Sequence, residues 1–77
     1  MATIAERVTA CVAEQAGERP ENCGPEKSFD DLGFDRLDKV ELVMALEDEF
    51  NADLDEDEME DVETVGQLVE FLEQKLA

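Results

Sequence analysis

The stretch Leu32-Gly33-Phe34-Asp35-Arg36-Leu37-Asp38-Lys39-Val40-Glu41-Leu42-Val43-Met44-Ala45-Leu46-Glu47-Asp48-Glu49-Phe50 constrains the chain most. It reads as a loop entering one helix that is apolar on two faces. Asp35 is a good N-cap, and Asp38 at the third helical position suits the positive helix end. At about 100° per residue, Leu42, Val43, Leu46 and Phe50 share one face, assigned to a core. Leu37, Val40 and Met44 form a second stripe, flanked by Glu41, Glu47 and Asp48. A core accounts for the first stripe. The second is either buried between other helices or is a partner surface, apolar anchors inside an acidic rim.

The rest of the chain supplies helices to pack against it. Thr3-Ile4-Ala5-Glu6 has the form of a capping box, a hydroxyl followed three residues on by a carboxylate. Ile4, Val8, Cys11, Val12 and Gln15 follow at helical spacing, and Gly17 ends that helix. Arg7 is expected among the few exposed cations. From Glu18 to Phe34 the connection is long and broken by Pro20, Gly24, Pro25 and Gly33, with Cys23, Phe29 and Leu32 as the expected core anchors. After Phe50, Leu54, Met59 and Val62 suggest a short helical segment with Asp55 and Glu58 as its cap pair. Thr64-Val65-Gly66-Gln67 is a further capping box, and Val65, Leu68, Val69, Leu72 and Leu76 mark a final amphipathic helix with Phe71 nearby. Lys75 in its last turn suits the dipole. The expectation is a single all-α domain over residues 1–77: a small four-helix bundle, three long helices and one short, with a long first loop.

Charge bounds the function. Six basic residues stand against 23 acidic ones, a net charge of −17 with no His. Phosphates would be repelled, so nucleic acid is excluded as a partner class and basic protein surfaces are favoured. Self-repulsion predicts that salt or divalent cations stabilise the fold. With no His and one serine, Ser28, no Ser-His or Cys-His nucleophile arrangement exists; Ser28 is expected to serve a turn. Carboxylates abound, but nothing places a pair in a concave apolar site, and no enzyme activity is expected. Asn51 to Glu63 carries eight acids in thirteen residues, and Asp53, Asp55 and Asp57 invite an EF-hand reading. That reading fails, because the sixth loop position is Glu58 rather than Gly and the twelfth is Thr64 rather than Glu. No metal site is assigned, and a weakly divalent-cation-binding acidic protein stays open as an alternative. The longest apolar run, Leu42 to Leu46, is too short to span a membrane. No signal peptide opens the chain, so Cys11 and Cys23 are read as small packed hydrophobes rather than a disulfide.

The central stretch resembles an acyl carrier protein. In that family an Asp-Ser-Leu triplet opens the second helix, followed by a run very close to Asp38 through Phe50. The resemblance covers essentially the whole chain: Thr3-Ile4-x-Glu6-Arg7-Val8, Ser28-Phe29 before Asp31-Leu32-Gly33, and Thr64-Val65. The resemblance implies a four-helix carrier whose serine bears 4′-phosphopantetheine through a phosphodiester, a flexible thiol arm that carries acyl groups. Here the triplet is Asp35-Arg36-Leu37, so no cofactor is expected to attach. Ser28 matches a different, unmodified serine, and the chain is one residue shorter than the pattern between Phe29 and Gly33. The resemblance implies a cytoplasmic or organelle-matrix monomer that docks to basic surfaces of fatty acid or polyketide synthesis enzymes. Its docking residues would be Asp35, Arg36, Leu37, Asp38, Val40, Glu41, Met44, Glu47 and Asp48. Such a chain is read as a carrier disabled at its serine, with a structural or regulatory homologue as the alternative.

Overall fold

The computed structural model describes residues 2–76 and has four α-helices: α1 Ile4–Ala16, α2 Arg36–Phe50, α3 Glu56–Met59 and α4 Val65–Lys75. Each of the three long helices opens on a complete capping box. At α1 the Thr3 hydroxyl accepts from the Glu6 amide at 3.1 Å, and the Glu6 carboxylate accepts from the Thr3 amide at 3.0 Å. Asp35 and Asp38 do the same at α2, and Thr64 and Gln67 at α4. These bonds satisfy amides that the first helical turn leaves without partners. Gly17, in the left-handed region at φ +69°, ends α1 by letting the Glu18 amide donate to the Ala13 carbonyl at 2.9 Å.

The core is one cluster. Val8 and Val12 of α1, Leu42, Val43 and Leu46 of α2, and Val65, Leu68 and Leu72 of α4 meet with no more than a few per cent of their surface exposed. Helix α1 packs against both α2 and α4. Fully burying each such side chain is worth about 1.5–3 kcal/mol, which carries the helical periodicity into tertiary stability. Leu54, Met59 and Val62 anchor the acidic segment around α3 to the same cluster. Cys23, Phe29 and Phe34 anchor the long connection, with Leu32 half-buried beside them. Both cysteines are free thiols, Cys23 buried and Cys11 half-buried.

The long connection is held by backbone as well as by anchors. A short 3₁₀ turn, Pro20–Asn22, follows α1. The chain then runs antiparallel to the start of α4 as an isolated bridge between Ser28 and Thr64. The Phe29 amide donates to the Glu63 carbonyl at 2.9 Å, the Val65 amide to Lys27 at 3.0 Å and the Gly66 amide to Pro25 at 3.0 Å. These last two donors are first-turn amides of α4, so the loop carbonyls complete that helix's capping. Gly66 permits the approach, since a Cβ there would lie 3.0 Å from the Pro25 carbonyl oxygen. Ser28 serves a turn as expected: its hydroxyl accepts from the Asp31 amide at 3.0 Å, and the Asp31 carboxylate accepts from the Ser28 amide at 3.3 Å.

Several side chains depart from the sequence expectations. Phe50 lies half-buried at the edge of the core, with the Arg7 guanidinium 4.3 Å above its ring centre. Arg7 is therefore half-buried rather than free, and it also donates to the Glu49 carboxylate at 2.8 Å and to the Glu49 carbonyl at 2.6 Å. At α3, Asp55 caps through the Asp57 amide at 2.9 Å, while Glu58 turns away to pair with Lys75 at 3.0 Å. Leu76 falls just beyond the end of α4 and is half-buried.

Candidate functional site

Helix α2 presents three different environments along its length, and the sequence-predicted site residues divide among them. Its amino end is a finished cap. The Asp38 amide donates to the Asp35 carboxylate at 2.8 Å, and the Asp35 amide to the Asp38 carboxylate at 3.1 Å. Asp35 and Asp38 are thus committed to starting the helix. Arg36 is the first helical residue, directly after the cap, and is exposed. It makes no ion pair with any described residue, where two such pairs occur, Arg7–Glu49 and Lys75–Glu58.

The outward face is the second environment. Leu37 and Met44 are the exposed large hydrophobics of the described chain, at 63% and 58% of their surface. Seven residues apart, they lie on the same helical face. Glu41 and Asp48, both exposed, share that face. The Glu41 carboxylate also accepts from the Gln15 side-chain amide at 2.8 Å, tying α2 to α1. Glu47 is half-buried, and its carboxylate accepts from the Leu54 amide at 3.2 Å. It holds the turn after α2 as well as edging the face. The carboxyl end closes on Asn51, left-handed at φ 50°, with the Ala52 amide donating to the Glu47 carbonyl at 3.2 Å.

The third environment was not anticipated from the sequence as a unit. Val40, half-buried, lies between the outward face and a groove of about 550 Å³ that separates α2 from α3. Phe34, Val40, Val43 and Met59 supply the apolar lining, Arg36 and Lys39 the cations of the α2 wall, and Glu56, Asp57 and Glu60 the carboxylates of the α3 wall. Asp30 and Asp35 close the end nearest the loop. The Phe29 and Phe34 rings stack at 5.4 Å with a 51° tilt, and the Lys39 ammonium stands 5.8 Å from the Phe29 ring centre. The signal available in the sequence was Val40 with Val43, a second pair at helical spacing three residues apart. The two fall on separate stripes of α2, and the short α3, which forms the facing wall, leaves no periodicity of its own to join them.

The acidic segment does not gather into a metal centre: among the described residues, no three His, Cys, Asp or Glu side chains converge on a point that could hold an ion. No described helix is long and apolar enough to cross a membrane. The site therefore consists of a capped helix start carrying a free cation, an exposed apolar pair among acids, and a charged-rim groove. None of these offers a nucleophile with an activating base.

A family model described as phosphopantetheine attachment site matches residues 6–72. That span takes in all of α2 and α3 and most of α1 and α4. Domains of this kind are carrier modules that work with synthase enzymes rather than catalysts themselves. With four helices and a capped α2, the architecture is the one expected from the resemblance to acyl carrier proteins, and the chain belongs to the phosphopantetheine-attachment family.

Proposed function

We propose that this chain is a carrier-type docking module of fatty acid or polyketide synthesis that no longer accepts the phosphopantetheine arm. The observation that carries the reading is Arg36, the exposed first residue of α2 directly behind the Asp35 cap. By resemblance this is the position of the serine that would bear the phosphodiester. A guanidinium supplies no oxygen for that bond, and the other hydroxyls are elsewhere. Ser28 is bonded within its own turn, Thr3 and Thr64 cap α1 and α4, and Thr9 lies within α1. The residues at the start of α2 therefore do not fit the cofactor, although a helix amino end is otherwise a favourable place for its phosphate.

The partner reading rests on the face beside it. Leu37 and Met44 offer apolar anchors, and Asp35, Asp38, Glu41, Glu47 and Asp48 surround them with negative charge, with Val40 at the groove edge. A basic enzyme surface would be steered to such a face, and two exposed anchors at its centre would supply the dry contact. Arg36 places one positive charge at the margin of an acidic surface, so a partner that reads this chain well presents a neutral or acidic group opposite it.

The test is enzymatic loading. The protein and its Arg36→Ser variant are incubated with a phosphopantetheinyl transferase and coenzyme A, and intact masses of both are measured. A variant that gains the arm while the parent does not supports a functional carrier fold silenced at one residue. If neither gains mass, the loop or the docking face has diverged further, and the carrier reading gives way to a separate structural or regulatory role.

A further inference from the structure

The groove between α2 and α3 has opposite charges on its two walls. Arg36 and Lys39 stand on α2; Glu56, Asp57 and Glu60 stand on α3. Between them lie the apolar side chains Phe34, Val40, Val43 and Met59. Arg36 forms no ion pair with any described residue in this open arrangement. Its position is also unfavourable on its own helix, since a cation in the first turn opposes the dipole and repels Lys39 three residues on. The nearest carboxylate in sequence, Asp35, accepts from the Asp38 amide through one of its oxygens.

The facing wall can move. Helix α3 is a single turn of four residues, and its own cap is one bond from the Asp57 amide to Asp55. It is held to the bundle by the buried Met59 side chain beneath it, by Leu54 and Val62 buried on either side of it, and by the surface pair of Glu58 with Lys75, on a side chain that does not line the groove. A short element with few fixed contacts opens and closes at low cost. Phe34, Val43 and Met59 are already buried, and half-buried Val40 is the apolar lining that closure would further cover.

We propose that Arg36 and Lys39 act as an electrostatic clasp, drawing the Glu56–Glu60 turn across the groove so that α3 closes over Val40. The closed state pairs the α2 cations with α3 carboxylates. It relieves three unfavourable features at once: the cation at the helix start, the crowding of acids on α3, and the part of Val40 left in water. High salt weakens the pairs and releases the turn. This assignment does not depend on partner docking or on any cofactor.

Hydrogen exchange of the full chain, read by mass spectrometry over the backbone amides of residues 56–60, tests the clasp. At low salt the Arg36→Gln variant is expected to exchange there about two- to five-fold faster than the parent, the factor a surface ion pair supports. Adding salt should speed the parent more than the variant, which keeps Lys39, and leave an Arg36→Gln, Lys39→Gln double variant nearly unchanged. Circular dichroism establishes that both remain folded. Glu60→Gln combined with Glu56→Gln should reproduce the effect, and adding Arg36→Gln to that pair should add little. Equal exchange in parent and Arg36→Gln, or strictly additive effects of the two walls, would overturn the clasp. So would a dependence of Arg36 on Asp30 alone, shown by an Asp30→Asn variant that cancels the Arg36→Gln effect while the α3 variants do not.

Discussion

The Arg7 guanidinium makes three contacts at the carboxyl end of α2, and its removal is the most informative single change to the bundle. It donates to the Glu49 carboxylate at 2.8 Å and to the Glu49 carbonyl at 2.6 Å, and it covers the Phe50 ring at 4.3 Å. Helix α2 has no basic residue in its own last turn, so α1 provides the cation that its dipole favours. A cation at a helix carboxyl end is worth about 0.3–1 kcal/mol, a surface ion pair about 0.2–1 kcal/mol, and a cation over an exposed aromatic ring about 0.5–1 kcal/mol. One group makes all three contacts, so they overlap, and Arg7→Ala should cost about 1–2 kcal/mol rather than their sum. For a domain of this size that lowers the thermal midpoint by about 5–15 °C. Arg7→Lys separates charge from geometry. Lysine keeps the charge but cannot fork to a carboxylate and a carbonyl while lying flat on Phe50, so it should recover less than about half of the loss. Thiol chemistry gives a second readout. Burial raises the Cys11 thiol first, Glu49 and Glu14 raise it further, and Arg7 opposes them. Losing Arg7 should therefore slow the reaction of Cys11 with a disulfide reagent near neutral pH. A midpoint unchanged by Arg7→Ala, or fully restored by Arg7→Lys, would refute the clamp.

Other changes probe the remaining contacts. Gly66→Ala places a Cβ 3.0 Å from the Pro25 carbonyl oxygen and 3.1 Å from its Cβ; it should destabilise by about 1–3 kcal/mol as an overpacking change, with faster exchange of the Gly66 and Val65 amides, and an unchanged denaturation midpoint would contradict the tight approach. Burial holds the Cys23 thiol above its ordinary value of 9.0, with Glu18 adding to the rise and Lys27 opposing it. Its stabilising contribution is therefore fully present below that value and lost as pH rises through the folded one, so denaturation at pH 7 to 11 should show an alkaline loss that flattens in a Cys11→Ala, Cys23→Ala double variant. Leu37→Ala together with Met44→Ala should shift stability by no more than about 0.5 kcal/mol, because both side chains stand in water; the same pair should weaken capture by a basic synthase surface at least about tenfold if these are its anchors.

Where the sequence was legible, the reason is that one local rule decided the outcome. Capping boxes at Thr3, Asp35 and Thr64 each satisfy amides within four residues, so three helix starts could be placed without knowing the fold. Leu42, Val43 and Leu46 are buried as their spacing requires, and Leu37 and Met44 are exposed as the second stripe allows. The failures share a different cause, a partner distant in sequence. Phe50 has the period of a core residue, yet its edge position follows from Arg7, 43 residues earlier. Glu47 has the spacing of one more rim acid, yet the chain turns back after α2 and gives it the Leu54 amide. The long connection could be recognised by its Pro and Gly, but its bonds to Val65 and Gly66 are backbone bonds that no side-chain pattern encodes.

The same distinction explains why the candidate site divides in two. The start of α2 is local, and the proposed loss of attachment there rests on a single residue. Arg36 keeps the cap, because Asp35 and Asp38 bond to each other's amides and use neither its side chain nor a hydroxyl at its position. Substitution at this point can therefore change what the site attaches without changing how the helix starts or which face it shows. The groove is not local. Its two walls come from α2 and from a single turn that follows the acidic segment, and only the folded chain sets Arg36 and Lys39 opposite Glu56, Asp57 and Glu60. The residue proposed to stand in place of an attachment point thus also puts a charge facing the acidic α3 turn. Both consequences follow from one guanidinium, and they are separable: loading of Arg36→Ser tests the first, and exchange of α3 in Arg36→Gln tests the second.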